Sequence, residues 1–326
     1  MKKMIDIACE LSLKLSEFNR ETESISIIEE AVEANNWFSR ADICRSVEAI
    51  RSQMLCKSKF EEWMATYPTL PCHSTRRIAI IMAGNIPLVG FSDLLCTLAA
   101  GHEAWIKPSS KDRVLMEYMC KILKEIEPLI PIYIHDNSIT YDAIIATGGR
   151  EANLYFESKF QGIKRLCRNN RHSIAVLSQD NTEEQMQLLS EDIYQYSGLG
   201  CRNVSMIFAP KGTNVNLPGF EVNQKYRNNY LQTKALLTIS GKEFIDNGTS
   251  IIIRSKEFPQ HLSAISIFEY ESLEEVAKWI SKHENELQCI VTQILSHPRQ
   301  VNFGEAQHPT LFDYADGVDT MKFLNF

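Results

Sequence analysis

The sequence predicts an α/β fold: a doubly wound parallel sheet followed by a second, smaller α/β unit. Three observations predict it. From residue 78 onward, apolar runs of strand length alternate with helix-like stretches. Three of those runs end in turns rich in glycine, proline or serine, where open α/β sheets take their ligands. One cysteine then stands in a glycine-flanked turn between a helix-like run and a strand-like run.

Residues 1 to about 66 read as helical, because Ile27, Ile28, Ala31, Val32 and Trp37 recur at helical intervals with Glu29, Glu30 and Glu33 on other faces. Pro68 and Pro71 mark a connector. Ile78 to Ala83 reads as a buried parallel strand and Phe91 to Ala100 as a helix. The next pair is a strand over Ala104 to Ile106 and a helix over Val114 to Glu125. A strand at Ala143 to Ala146 is followed by a helix from Glu151 to Phe160 and a strand from Ser173 to Leu177. The helix-like run Thr182 to Gln195 precedes the cysteine turn, and Val204 to Phe208 is the strand after it. A division is expected near residue 196, giving units over 1–195 and 196–326, the second ending in a turn-rich tail.

At 326 residues the chain is long enough to bury a sizeable core, and its hydrophobic fraction of 44% is ordinary for a globular protein. A net charge of -7 argues against nucleic acid as a partner. No apolar run approaches the length of a bilayer span, and no secretory leader is visible, so a cytoplasmic protein is expected. Nine scattered cysteines without a C-x-x-C pair fit reduced thiols; no metal site is expected.

The turn Tyr196-Ser197-Gly198-Leu199-Gly200-Cys201-Arg202-Asn203 carries the sharpest chemistry. Flanking glycines open the approach to the sulfur, and Arg202 adds a charge that favours the thiolate. Taken alone, such an intracellular cysteine fills space in roughly nine cases in ten. Three loops upstream change that weighting: Gly84-Asn85-Ile86-Pro87, Lys107-Pro108-Ser109-Ser110 and Thr147-Gly148-Gly149-Arg150-Glu151, each following a strand. Singly, each is more often only a turn, and Asn85 alone is more often a helix cap. His172, His297 and His308 read as structural or solvent-exposed.

In order and spacing these loops and the cysteine turn resemble the aldehyde dehydrogenase superfamily. Ile81 to Gly90, Gly198 to Ser205 and Asp313 to Met321 resemble its LuxC-type acyl-CoA reductase branch, over about residues 78 to 326. The resemblance implies an aldehyde dehydrogenase-like fold, with an N-terminal helical segment and dinucleotide-binding domain over 1–195 and a catalytic cysteine domain over 196–326. It makes Cys201 the nucleophile and Asn85 an oxyanion donor. Lys107 would hold the adenosine ribose, Ser109 and Ser110 would continue that loop, and Thr147, Gly148 and Gly149 would lie near the pyrophosphate.

Two departures from the superfamily pattern sharpen the expectation. Hydrolytic aldehyde dehydrogenases carry a water-activating glutamate where this chain reads Cys167 to Ser173, without a carboxylate and with Arg168 near the glutamate's place. That favours acyl-thioester chemistry over hydration of an aldehyde. Ser110 and Lys111 stand where NAD-preferring relatives often place a carboxylate, which leans the cofactor towards NADPH over NADH. The expected reaction is NAD(P)H-dependent reduction of acyl-CoA, or another acyl-thioester donor, to an aldehyde through an acyl-cysteine. A homo-oligomer is expected, with an acyl-activating or acyl-transfer protein as a further partner. The competing readings are a CoA-independent aldehyde dehydrogenase, a non-catalytic or acyl-transfer subunit of a fatty-acid reductase complex, and a cofactor-free cysteine acyltransferase or thioesterase.

Overall fold

The computed structural model describes residues 3–149, 156, 158, 160 and 162–326. The chain divides into two compact units, Met1–Asn170 with Pro309–Phe326, and Arg171–His308. The expected helix from Glu151 to Phe160 falls largely outside the described residues, as do Arg150 and Glu151 of the third loop.

The first unit begins with helices α1 (Met4–Leu15), α2 (Thr22–Ala34), α3 (Arg40–Ala49) and α4 (Lys57–Ala65). A five-stranded parallel sheet follows, in the order β3-β2-β1-β4-β5. Its strands are β1 (Arg77–Ile81), β2 (Glu103–Lys107), β3 (Ile132–Ile134), β4 (Ala143–Thr147) and β5 (Lys164–Arg168). β1 and β4 are buried from Ile78 to Ile81 and from Ala143 to Ala146, as a central parallel strand covered on both faces must be. Helix α5 (Phe91–Ala99) links β1 to β2. Helix α6 (Arg113–Ile126) buries Leu115, Met116, Met119, Ile122, Leu123 and Ile126, one apolar stripe at helical spacing. α1 and α2 pack on α6, and Lys14 pairs with Glu125 at 3.1 Å across that contact.

The second unit holds a seven-stranded sheet in the order β12-β11-β6-β7-β10-β9-β8. Its strands are β6 (His172–Val176), β7 (Val204–Pro210), β8 (Ile245–Asp246), β9 (Ile251–Arg254), β10 (Ala264–Tyr270), β11 (Leu287–Val291) and β12 (Gln300–Val301). All neighbours run parallel except β8 and β9. Helix α7 (Glu183–Tyr194) joins β6 to β7, α8 (Gln224–Ile239) follows β7, and α9 (Leu273–Lys282) follows β10. Ile174, Val176, Met206, Phe208, Val276 and Ile290 form the core beneath α9.

The compact units part after residue 170 rather than after 195. The strand at Ser173 aligns with Val204, and His172 aligns with Leu287, so β6 belongs with the cysteine strand. Residues 309–326 rejoin the first unit, where α10 (Thr320–Leu324) buries Met321 and Leu324. Trp63 and Tyr67 secure that return, both reaching the Tyr314 hydroxyl, at 2.7 and 2.6 Å.

Candidate active site

The first unit reverses its winding at β1. The chain passes from β1 outward to β2 and β3, then returns to lay β4 on the opposite side of β1. The carboxyl ends of β1 and β4 therefore flank a topological switch point, the usual ligand crevice of an open α/β sheet. The loop holding Asn85 leaves β1 there, Lys107 ends the neighbouring β2, and Thr147-Gly148-Gly149 leaves β4. The candidate residues of this unit are thus gathered along one sheet edge.

Close packing explains the form of the first two loops. A Cβ on Gly84 would lie 2.7 Å from both Cβ and Oγ of Ser109 and 3.1 Å from Cβ of Asp112, so only glycine fits. Leu88 adopts a left-handed φ of 58°, a strained conformation for a side chain with a Cβ. Its N–H donates to Asp112 Oδ2 at 2.9 Å, and Ser46 Oγ of α3 donates to the Pro87 carbonyl at 2.8 Å. Asp112 is 2% exposed, and burial pushes its carboxyl well above the ordinary carboxylate range against the pull of the Leu88 N–H. Asn35 Nδ2 donates to the Lys111 carbonyl at 3.2 Å. The helical N-terminal segment, silent in the motif reading, therefore clamps both loops.

The open faces of these loops suit a dinucleotide. Asn85, Ser109, Thr147 and Gly148 are half-buried, whereas Lys107, Ser110 and Gly149 are exposed. A Cβ built on Gly149 would meet nothing within 4 Å among the described residues. A lysine cation, serine hydroxyls and bare backbone at a switch point are the chemistry that ribose hydroxyls and phosphates require. Gly148 N–H also reaches the Arg168 carbonyl at 3.4 Å, fixing the start of the third loop to β5.

Arg168 is buried in an ion pair. It is 6% exposed, its Nη1 donates to Asp93 Oδ2 at 2.6 Å, and its Nη2 donates to Thr320 Oγ1 at 2.7 Å. Burial opposes its charge, but the Asp93 carboxylate outweighs that and raises the guanidinium pKa. The residue near the missing glutamate's place thus binds β5 to α5 and α10.

The cysteine turn belongs to the second unit. Helix α7 begins with a capping box, in which Thr182 and Gln185 satisfy each other's backbone N–H groups. It ends abruptly, because Tyr196, Ser197 and Gly198 all take left-handed φ, at 53°, 56° and 66°. Gly198 is the natural residue for that conformation. Cys201 is half-buried, and its carbonyl accepts Ser173 Oγ at 2.9 Å. Arg202 is 9% exposed and donates Nε to the Ala306 carbonyl, so its charge is seated in the 302–308 loop.

Asp192 fastens the same loop. Its carboxylate accepts Gly304 N–H at 2.7 Å and Ala306 N–H at 2.9 Å. Burial pushes its pKa up to about 7, against the pull of those two N–H groups. Asp192, Asp112 and Asp93 were not singled out by the sequence; their partners lie 24 or more residues away in the chain. The histidines are occupied structurally: His172 stacks on Phe258 at 4.1 Å, and His297 reaches Glu284 at 3.2 Å. Among the described residues, no group of three or more His, Cys, Asp or Glu is placed to hold a metal ion, and no helix is long and apolar enough to cross a membrane.

Comparison with known proteins agrees with this architecture. The model of the family described as acyl-CoA reductase (LuxC) matches residues 19–225. No curated protein matches the sequence. Among solved structures, aldehyde dehydrogenase 21 from Physcomitrella patens superimposes with a TM-score of 0.64 at 12% identity, covering 90% of this chain and 73% of the other. An acetylating aldehyde dehydrogenase from Geobacillus thermoglucosidasius gives a TM-score of 0.62 at 12% identity over 95% of this chain and 84% of its own. An oxidoreductase from Marinobacter aquaeolei gives 0.63 at 12% identity, over 94% and 78%. At such identities these likenesses establish the fold.

Proposed function

The chain belongs to the LuxC acyl-CoA reductase family, and we propose that it reduces an acyl thioester to an aldehyde through an acyl group carried on Cys201. One observation carries the assignment of the nucleophile: Cys201 is half-buried in a turn whose carbonyl and flanking residues are tied down by Ser173 and Asn203. A nucleophile held in this way meets its substrate without further ordering.

The Cys201 thiolate adds to the thioester carbonyl, and the oxyanion is held by the Asn85 amide and the Cys201 N–H. The C–S bond to CoA then breaks, CoA leaves as a thiolate that takes a proton from solvent, and the acyl group remains on Cys201. Lys107 would hold the adenosine ribose of a nicotinamide nucleotide, Ser109 and Ser110 would extend that contact, and Thr147, Gly148 and Gly149 would receive the pyrophosphate. When bound, the reduced nicotinamide supplies the hydride that converts the acyl thioester to an aldehyde and frees the thiolate. NADPH is the preferred donor, because Ser110 and Lys111 offer a hydrogen-bond donor and a cation to a 2′-phosphate.

The absent glutamate supports reduction over hydrolysis: the nearest residue in sequence, Arg168, is committed to Asp93 at 2.6 Å. The fold neighbour described as an acetylating aldehyde dehydrogenase is consistent with thioester chemistry on this scaffold. The same reading has the protein act in the cytoplasm as a homo-oligomer, fed by free acyl-CoA or by an acyl-activating protein. Leu231, Leu236 and Ile239 on α8 and Ile245 on the edge strand β8 are exposed apolar side chains of the kind that self-association would cover.

The test is nicotinamide absorbance on adding acyl-CoAs of graded length, with NADPH and with NADH, beside Cys201→Ala. Oxidation that requires acyl-CoA, yields aldehyde and disappears in the variant is the expected result. Oxidation that persists in Cys201→Ala contradicts the assignment.

A further inference from the structure

Asn203 lies two residues beyond Cys201, is 5% exposed, and spends its whole side chain on the turn. Its Nδ2 faces three main-chain carbonyls: Asp192 at 3.1 Å, Ile193 at 3.1 Å and Gln195 at 2.9 Å. Its Oδ1 accepts the Gly200 N–H at 2.8 Å. Its own backbone N–H donates to the Gly200 carbonyl at 3.1 Å. Two amide protons serve three acceptors, so at least one proton is shared.

Two of those carbonyls belong to the last turn of α7 and the third to its C-cap, Gln195, where helical acceptors have no intrahelical donors. The left-handed run at Tyr196, Ser197 and Gly198 takes the chain out of the helix, and Asn203 supplies the donors from outside. One side chain therefore caps the helix and closes the turn. The consequence for Cys201 is geometric. The Gly200 carbonyl and the Cys201 N–H belong to one trans peptide plane and point in opposite directions. Holding the Gly200 carbonyl on the Asn203 backbone N–H therefore sets the direction of the Cys201 N–H, and the Asn203 side chain keeps that backbone in place by gripping the Gly200 N–H and the end of α7. The following peptide plane is fixed independently, because Ser173 Oγ holds the Cys201 carbonyl at 2.9 Å. Both peptide planes that meet at the Cys201 Cα are thus anchored, one by Asn203 and one by Ser173.

We propose that Asn203 is the positioning residue of the nucleophile: it orients the Cys201 thiol and N–H for attack on the thioester carbonyl. The proposal rests on Cys201 being the nucleophile. It distinguishes the donor half of the amide from its shape. Aspartate at 203 keeps the outline and the acceptor for Gly200, but sets a carboxylate against three carbonyls and adds a negative charge two residues along the chain from Cys201.

The experiment compares full-length Asn203→Asp, Asn203→Ser and Asn203→Ala with the unmodified protein and with Cys201→Ala. The rate of acyl-adduct formation from acyl-CoA is read by intact mass without nucleotide. Iodoacetamide labelling of Cys201 is read by peptide mass spectrometry across pH, and folding by circular dichroism. Folded variants should acylate about 10- to 100-fold more slowly, with the half-saturating acyl-CoA concentration within about two-fold of the unmodified protein. Serine, which restores one donor, should fall between alanine and the unmodified protein. The labelling profile of the aspartate variant should move to higher pH. Folded variants that acylate at the original rate with an unshifted profile would overturn the proposal, and so would loss of the fold in all three, which makes Asn203 purely structural. Acylation that survives in Cys201→Ala would instead sink the nucleophile assignment, a separately readable failure.

Discussion

The loop that carries Asn85 and the turn that carries Cys201 are both short, glycine-bearing and partly left-handed, yet they are held in opposite ways. The Asn85 loop takes its conformation from distant segments: Asp112 is 24 residues from its partner Leu88, and Ser46 is 41 residues from its partner Pro87. The Cys201 turn takes most of its side-chain hydrogen bonds from its own neighbourhood, through Asn203 acting on residues 3 to 11 positions away, with Ser173, 28 positions away, adding one to the Cys201 carbonyl. The Cys201 turn therefore carries much of its scaffold in its own sequence, whereas the Asn85 loop depends on tertiary packing. Changes near Cys201 should act on reactivity, and changes at remote sites should act on the loops through stability.

The largest effect that would sharpen this contrast is expected at Arg168, a remote support. Arg168→Met leaves the Asp93 carboxylate buried without its ion pair, and should lower unfolding free energy by about 3–5 kcal/mol. Chemical denaturation would measure it, and a loss under 1 kcal/mol would show that the pair contributes little. Next comes Asn85→Ala, which should cost about two to three orders of magnitude in the rate of acylation with little change in stability. Equal stability and equal acylation would remove Asn85 from the site.

The smallest effect concerns pH and Asp192. Its folded pKa, about 7, lies above its unfolded value, so between about pH 4 and 7 the unfolded chain releases a proton that the folded one keeps. Stability from this group is therefore full below pH 4 and is lost as pH rises towards 7. The slope of stability against pH in that interval should approach about 1.4 kcal/mol per pH unit. Asp192→Asn, which cannot ionise, should flatten that part of the stability profile while giving up one of the two N–H bonds to the 302–308 loop. An unchanged slope in the variant would place the pH dependence elsewhere.

Much of the fold was legible because β1 is apolar from Ile78 to Ile81, β4 is apolar from Ala143 to Ala146, and α6 has a clean helical stripe. β5 escaped notice because Lys164 and Arg165 are exposed and hide its strand character. The unit boundary was misplaced because β6 reads the same whichever sheet receives it; only pairing with β7 and β11 decides. The return of residues 309–326 depends on Trp63 meeting Tyr314, 251 residues later. In the site, Cys201 and its glycine turn were readable as a motif. The roles of Asn203, Asp112 and Asp192 were not, since each depends on which main-chain groups the fold brings within reach.

Acyl transfer to Cys201 is read by intact-protein mass spectrometry after mixing with acyl-CoA in the absence of nucleotide. A single acyl adduct that maps to Cys201, resists hydrolysis, and disappears as aldehyde on adding NADPH is expected. No adduct with any chain length, or an adduct that persists in Cys201→Ala, would contradict it.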